Sequence, residues 1–213
     1  MKIQRFQCNM LRENCYVVSD ESQECVIIDC GAYYEEERQA INDYIAHQQL
    51  KPHRLLSTHG HIDHNWGNAM LYRTYGLHPE IHTNDGQLLN NIALQAKEMF
   101  QIDVQEKFPT IGRFFEENER IVFGTHTLQV IETPGHTQGG VCFYCEAEQV
   151  LFSGDTLFKG SIGRTDLDGG SMFQMIQSLR LLAQLPDTVK VFPGHGEATT
   201  MGLEVAGNPY MDR

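Results

Sequence analysis

Basic residues are scarce in this 213-residue chain: 16 lysines and arginines stand against 28 aspartates and glutamates, a formal net charge of −12. No cluster of Lys and Arg interrupts that acidic balance, which excludes the electrostatic footprint of a nucleic-acid binder. Long apolar runs are missing too, since none approaches the roughly 20 residues that span a bilayer. Met1-Lys2-Ile3-Gln4-Arg5 is not followed by the apolar stretch of a secretory signal. The expectation is a cytoplasmic protein with neither a nucleic-acid nor a membrane partner. No repeat, low-complexity tract or linker divides the chain, so residues 1–213 read as a single domain with ample length for a buried core. The six cysteines, Cys8, Cys15, Cys25, Cys30, Cys142 and Cys145, are scattered among apolar neighbours, as reduced core residues are. Cys142-Phe143-Tyr144-Cys145 has the spacing of a redox or zinc knuckle, but no second pair completes it. It also falls in a strand-like run, where positions three apart face opposite sides.

What the chain does have is histidine concentrated in one place. Thr58-His59-Gly60-His61-Ile62-Asp63-His64 holds four potential metal ligands, directly after the apolar stretch Leu55-Leu56-Ser57. Histidine binds metal through a neutral imidazole nitrogen, and aspartate supplies a hard oxygen. In an extended loop His59 and His61 point to the same side and can grip one ion. Asp63 and His64, about one turn further on, can start a helix and face a second. The bland alternative is a polar strand-to-helix turn with Asp63 as the cap. With only 10 histidines in the chain, chance does not assemble three of them there beside an aspartate.

Short β-like runs open the chain at residues 3–6, 15–18 and 25–28, the last two separated by a polar turn as in a hairpin. A helical pattern follows over 34–49, then a strand at 54–57 leading into the histidine cluster. Residues 66–75 read as a helix closed by Gly76, and Glu80-Ile81-His82 as a short strand. A second helical stretch from Asp85 to about Gln101 runs into an irregular segment ending near Asn118. Such an insertion between core elements forms a lid or a pocket wall. Strands return at 120–123, 128–131, 141–144 and 150–153, then a helix over 171–184 and a closing strand at 189–192. Two halves of strands followed by helices predict an α/β fold with sheet packed on sheet and helices outside.

Three further signals share the placement of the first, each just after a strand. They are Pro134-Gly135-His136-Thr137, Gly154-Asp155-Thr156 and Pro193-Gly194-His195-Gly196. Loops at strand ends are where such folds gather functional groups, and a glycine before each ligand lets the backbone turn sharply. Asp29, ending the strand at Ile28, is either a plain turn residue or a group that orients a ligand imidazole.

These motifs, in this order and spanning most of the chain, resemble the metallo-β-lactamase superfamily. The resemblance implies a four-layer αβ/βα sandwich, two mixed sheets face to face with helices outside, and a dinuclear site in the cleft between them. By position, His59, His61 and His136 would hold the first metal ion. Asp63, His64 and His195 would hold the second, and Asp155 would bridge both. The two carboxylates, Asp63 and Asp155, are the candidate catalytic residues. Two divalent ions sharing a water lower its pKa from 15.7 towards about 7 and so provide a hydroxide nucleophile at neutral pH. A nitrogen-and-oxygen donor set suits Zn2+ and does not exclude iron or manganese.

The run Phe158-Lys159-Gly160-Ser161-Ile162-Gly163-Arg164-Thr165-Asp166, with Asn208-Pro209 near the end, resembles the glyoxalase II group, especially its short bacterial form. That implies hydrolysis of S-(hydroxyacyl)glutathione thioesters such as S-D-lactoylglutathione. Arg164 falls where that group places a basic residue near the glutathione carboxylate, with Lys159 as a second substrate-binding candidate. Longer members carry a C-terminal helical domain, and the roughly 18 residues after His195 leave no room for one. Glutathione contacts are then expected from Arg164, from the 87–118 insertion or from a second copy in a homo-oligomer. Trp66 stands where many relatives have glycine. The rival reading is a persulfide dioxygenase with one iron on His59, His136 and Asp155, and the non-enzymatic one a metal-binding protein. A β-lactamase role fits less well, because Asp155 stands where the commonest zinc β-lactamases carry Cys or Ser.

Overall fold

The computed structural model describes residues 1–116 and 118–211. A first sheet runs β1 (Lys2–Cys8), β2 (Glu13–Ser19), β3 (Glu24–Ile28), β4 (Lys51–Leu56), β5 (Pro79–Ile81) and β6 (Arg113–Phe114), in that spatial order. β1 to β3 are antiparallel neighbours and β3 to β6 parallel ones. Parallel neighbours need crossovers. These are α1 (Glu35–His47), α2 (Asn68–Tyr75), and the insertion with α3 (Gly86–Asn90) and α4 (Ile92–Phe100). The second sheet contains β7 (Arg120–Phe123), β8 (His126–Glu132), β9 (Val141–Cys145) and β10 (Val150–Gly154), joined as antiparallel neighbours. A small hairpin, β11 (Leu157–Phe158) with β12 (Ser161–Ile162), precedes α5 (Met172–Leu182). Then β13 (Lys190–Pro193) lies parallel to β10, followed by β14 (Thr199–Thr200) and α6 (Met201–Gly207).

β2, β9 and β10 are buried at every position and β3 at all but its first, so these strands are covered on both sides. Tyr16, Val18, Val26, Ile28, Phe143 and Phe152 point into the layer between the sheets. Their strand neighbours Cys15, Val17, Cys25 and Ile27 face the α1–α2 side. Cys142, Tyr144 and Leu151 face α5. Period-two alternation thus builds two helix-facing cores and one between the sheets, each buried apolar side chain contributing about 1.5–3 kcal/mol. The αβ/βα sandwich follows. Cys142 and Cys145 fall on opposite sides of β9, as strand geometry requires, and all six cysteines are free and buried. Among the described residues no helix is long and apolar enough to cross a membrane.

The insertion differs from the sequence reading. Its helix is broken at Asn90-Asn91, where Asn91 leaves helical geometry at φ −93°, ψ 22°, and α4 restarts at Ile92. Asparagine competes for backbone hydrogen bonds and is a poor helix interior. α4 lays Ile92 and Ala96 over Trp66, Ile62 and Ile81. Trp66 is itself wedged between Tyr33 and Phe100, at ring-centre distances of 4.7 and 6.0 Å. That indole ties the insertion to the loop carrying His59–His64, which gives its bulk a use. β6, β11, β12 and α6 went unread because each is too short for periodicity to register.

Candidate metal centre

Every donor named from the sequence sits at a strand's C-terminal end on one edge of the sandwich. His59 and His61 follow β4, and Asp63 and His64 lie in a single 3-10 turn over Ile62–His64. His136 follows β8, Asp155 follows β10 and His195 follows β13. Gly154 makes the Asp155 turn possible: at φ +47° it is left-handed, and a Cβ there would lie 2.6 Å from the Thr58 Cβ. The donor atoms of His59, His61 and His136 lie within 4.8 Å of one another, and so do those of Asp63, His64 and His195. Asp155 lies between the groups, its carboxylate 3.5 Å from His136 Nε2, 3.3 Å from His64 Nε2 and 3.7 Å from His195 Nε2. Donors sharing one ion at about 2.0–2.1 Å in tetrahedral geometry stand about 3.4 Å apart, which is this spacing.

The outer nitrogens settle which atoms face inward. His136 Nδ1 donates to the Arg164 carbonyl at 2.7 Å and His195 Nδ1 to the Leu11 carbonyl at 3.1 Å. His64 Nδ1 meets the Asp29 carboxylate at 3.0 Å. Thr58 Oγ1 donates to Asp29 at 2.7 Å and so accepts from His59 Nδ1 at 3.0 Å. A carbonyl or carboxylate oxygen only accepts, so in the neutral rings the inner Nε2 atoms carry lone pairs. The inner atoms converge: His136 Nε2 is 2.9 Å from His61 Nδ1, and the lone pairs of His64 Nε2 and His195 Nε2 are 3.3 Å apart. His59 Nε2 and Asp155 Oδ1 are buried with no hydrogen-bond partner. Acceptors aimed at acceptors in a buried place are the chemistry of a cation site.

Burial disfavours charge throughout the cluster. It drives His59 well below the ordinary histidine range and His61 down to about 4, and neighbouring imidazoles add to it. Burial would also raise the carboxyls, but His64 above all outweighs it and holds Asp63 and Asp155 below the usual carboxylate range. On His64 burial again opposes charge, yet Asp155, Asp63 and Asp29 raise it well above the ordinary value. Two ionised carboxylates and two neutral imidazoles are the protonation states a dication requires. On His64 a cation and a proton compete for one lone pair.

The backbone of the histidine loop is held by side chains that sequence reasoning passed over. Asn65 Nδ2 donates to the His59 and His61 carbonyls at 3.1 and 2.7 Å. Asn9 Nδ2 donates to the Asp63 carbonyl at 2.8 Å. Asn65 had a signal, since it directly follows His64; Asn9, more than fifty positions away, had none. Asp29 proves to be both things considered for it, a left-handed turn residue at φ +49° and the partner of His64.

Above the donors opens a cavity of about 350 Å3, lined by Leu11, Met99, Phe158, Leu167 and Arg164 besides the cluster itself. Met99 comes from the insertion, which therefore is a pocket wall. Phe158 is carried by the β11–β12 hairpin, whose Ser161 carbonyl accepts from Asn208 Nδ2 at 3.0 Å. Arg164 reaches the rim with its guanidinium doubly bonded to Asp166, at 2.8 Å for each contact. Lys159 does not line the cavity: its ammonium, 55% exposed, binds Glu197 at 2.7 Å.

A two-sheet sandwich with a buried His/Asp cluster at its strand ends, holding donors enough for two ions, defines a class of metal-binding protein. The chain belongs to the metallo-beta-lactamase superfamily, whose sequence signature spans residues 9–195. A Haemophilus influenzae protein named hydroxyacylglutathione hydrolase GloC is 31% identical over 217 residues, covering 100% of this chain and 99% of its own. Among solved structures, BLEG-1 B3 metallo-beta-lactamase superposes with a TM-score of 0.88 at 31% identity over 99% of both chains. TTHA1623, crystallised in a di-iron-bound form, gives 0.85 at 35% identity over 98% of this chain and 100% of its own.

Proposed function

We propose that this protein is a dinuclear-metal hydrolase that cleaves a thioester, with S-(hydroxyacyl)glutathione such as S-D-lactoylglutathione as its substrate class. The observation that carries the reading is the complete donor set at the floor of an apolar cavity. His59, His61 and His136 would hold one ion, Asp63, His64 and His195 the other, with Asp155 shared. Zn2+ fits these nitrogen and oxygen donors; the di-iron form of TTHA1623 keeps iron among the metals to assay. When bound, two such ions supply a water-derived nucleophile at neutral pH and polarise an acyl carbonyl.

The chain's own residues favour a thioester over an amide. Among the described residues lining the cavity, every titratable side chain belongs to the donor set except Arg164, which stays charged. No free acid is at hand to protonate an amine leaving group. A thiolate, from a thiol with a pKa near about 8.5, departs without one. Water adds to the carbonyl, the C–S bond breaks, and a carboxylate, a thiol and a proton result. Leu11, Met99, Phe158 and Leu167 exclude solvent around the acyl group. Arg164, on the rim, offers a fork to a carboxylate of the thiol half.

The likeness to a B3 metallo-beta-lactamase makes β-lactam opening the second reading, since a strained amide needs less help from an acid. The deciding experiment measures bound metals together with turnover of S-D-lactoylglutathione, a chromogenic cephalosporin and glutathione persulfide. About two metal ions per chain with thioester turnover is the expected result. Cephalosporin turnover without thioester turnover selects the second reading, and one iron with oxygen consumption overturns both. Asp155→Ala is expected to abolish hydrolysis and lower metal content with the fold intact, because it removes the buried carboxylate that stands between the two donor groups. Full activity in that variant would sink the proposal.

A further inference from the structure

The insertion does more than wall the cavity. Asp85 lies at the start of α3, where an aspartate side chain ordinarily caps its own helix, yet it makes no cap hydrogen bond there. Its carboxylate, with the residue 1% exposed, turns to two other loops instead. Oδ2 accepts from the Gly60 N–H at 2.9 Å, and Oδ1 accepts from the Gly139 N–H at 2.7 Å. Gly60 lies between His59 and His61, and Gly139 three positions after His136. Both contacts are made at glycines, where the loops come close to the Asp85 backbone. A Cβ on Gly139 would stand 2.6 Å from the Asp85 nitrogen, and one on Gly60 3.0 Å from the Asp85 carbonyl oxygen.

Gln95, from the first turn of α4, closes the same loop from above. Its Nε2 donates to the Gly60 carbonyl at 3.0 Å and its Oε1 accepts from the Ile62 N–H at 3.0 Å. Asp63, His64 and His195 are held by a different frame, made of Asn9, Asp29 and the Leu11 carbonyl.

Resting on the two-ion site proposed above, the structure assigns Asp85 and Gln95 as positioning residues that clamp the His59–His61 and His136 loops together and set the affinity of the first metal position separately from the second. A carboxylate is suited to the task. One acceptor-only group satisfies two buried N–H donors from segments 79 positions apart in the chain, and both bonds are charge-assisted. Partners of this kind hold donors at the right separation before the ion arrives.

The test is Asp85→Asn, which keeps the shape but turns an NH2 group towards one of the two N–H donors. Zn2+ affinity is measured by chelator competition in two backgrounds, His195→Ala to read the first position and His61→Ala to read the second. In the wild-type protein the same titration must find two ions, which checks the metal site independently of the clamp. Asp85→Asn is expected to weaken the first position by about 10- to 100-fold and to leave the second unchanged. With Co2+ as probe, the absorption bands of the first position alone should shift. Ile45→Ala, a core truncation in α1 whose apolar cluster contains no residue of either loop, should lower the melting temperature without separating the two affinities. Equal weakening of both positions by Asp85→Asn, or none, overturns the assignment. If Asp85→Asn does not fold, Gln95→Met is read in the same way and by the same criteria.

Discussion

Asp29 can be changed to asparagine without touching the backbone, because both residues tolerate the left-handed conformation found there at φ +49°. What changes is the acceptor. The Asp29 carboxylate takes the Thr58 N–H at 2.7 Å on one oxygen, and the Thr58 hydroxyl at 2.7 Å and His64 Nδ1 at 3.0 Å on the other. An amide has only one acceptor atom. If its oxygen stays with Thr58 N–H, its NH2 group faces His64 Nδ1 and drives that ring to the wrong tautomer for an ion on Nε2. If it turns over, the Thr58 N–H is left buried and unsatisfied. Either conflict costs about 2 kcal/mol. The first orientation weakens Zn2+ at the second position by roughly 30-fold, at 1.4 kcal/mol per decade. The second lowers the melting temperature of the metal-free protein by about 4–8 °C for a chain of this size. Chelator competition in a His61→Ala background and calorimetry of the metal-free protein read the two together. An unchanged affinity with an unchanged melting temperature would refute the account of how His64 is oriented.

Four other outcomes follow from the same geometry. Gly154→Ala forces a side chain into a left-handed turn against Thr58. It should cost about 2–4 kcal/mol and lower the melting temperature by roughly 4–16 °C in a thermal scan. Arg164→Ala should raise KM for an anionic thioester about tenfold with little change in kcat, since the guanidinium grips the part of the substrate that does not react. Asp166→Asn releases the Arg164 fork and should lower that KM; steady-state kinetics with charged and uncharged thioesters checks both. Stripping the metal with a chelator removes about 2.7 kcal/mol of stabilisation when free ion had stood at 100 times its Kd. The melting temperature should then fall by about 5–11 °C and recover on adding Zn2+. A melting curve indifferent to the chelator would count against a metal bound to the native state.

Much of the fold was legible because its signals are local. Residues 15–18, 25–28 and 141–145 are apolar throughout, and that pattern alone announces strands covered on both faces. Helix α5 was legible from the spacing of Met175, Leu179 and Leu182. The insertion was misread as one helix although Asn90-Asn91 is a weak point in it; packing against Trp66 and Ile62 fixes where α4 then lies. β6 is visible only through its partners: Arg113 binds Glu80 on β5, a contact no periodicity encodes. Lys159 and Arg164 looked alike as cations in one loop. Glu197 draws the first away, and the second stays on the rim beside Asp166.

For the site, the sequence by itself determined which atoms are available. It supplies three histidines and an aspartate in one short loop, and single donors after the strands ending at Glu132, Gly154 and Pro193. Residue identity and position after a strand are local properties, so they can be read without knowing the fold. Only the tertiary structure decided which nitrogens face inward, because the partners that set them include the backbone carbonyls of Arg164 and Leu11, which any residue could provide. It alone also decided that Asp85, far from every donor in the chain, would hold two of the loops together. Side-chain chemistry is written in the sequence; the distances that turn it into a site come from long-range packing of the two sheets.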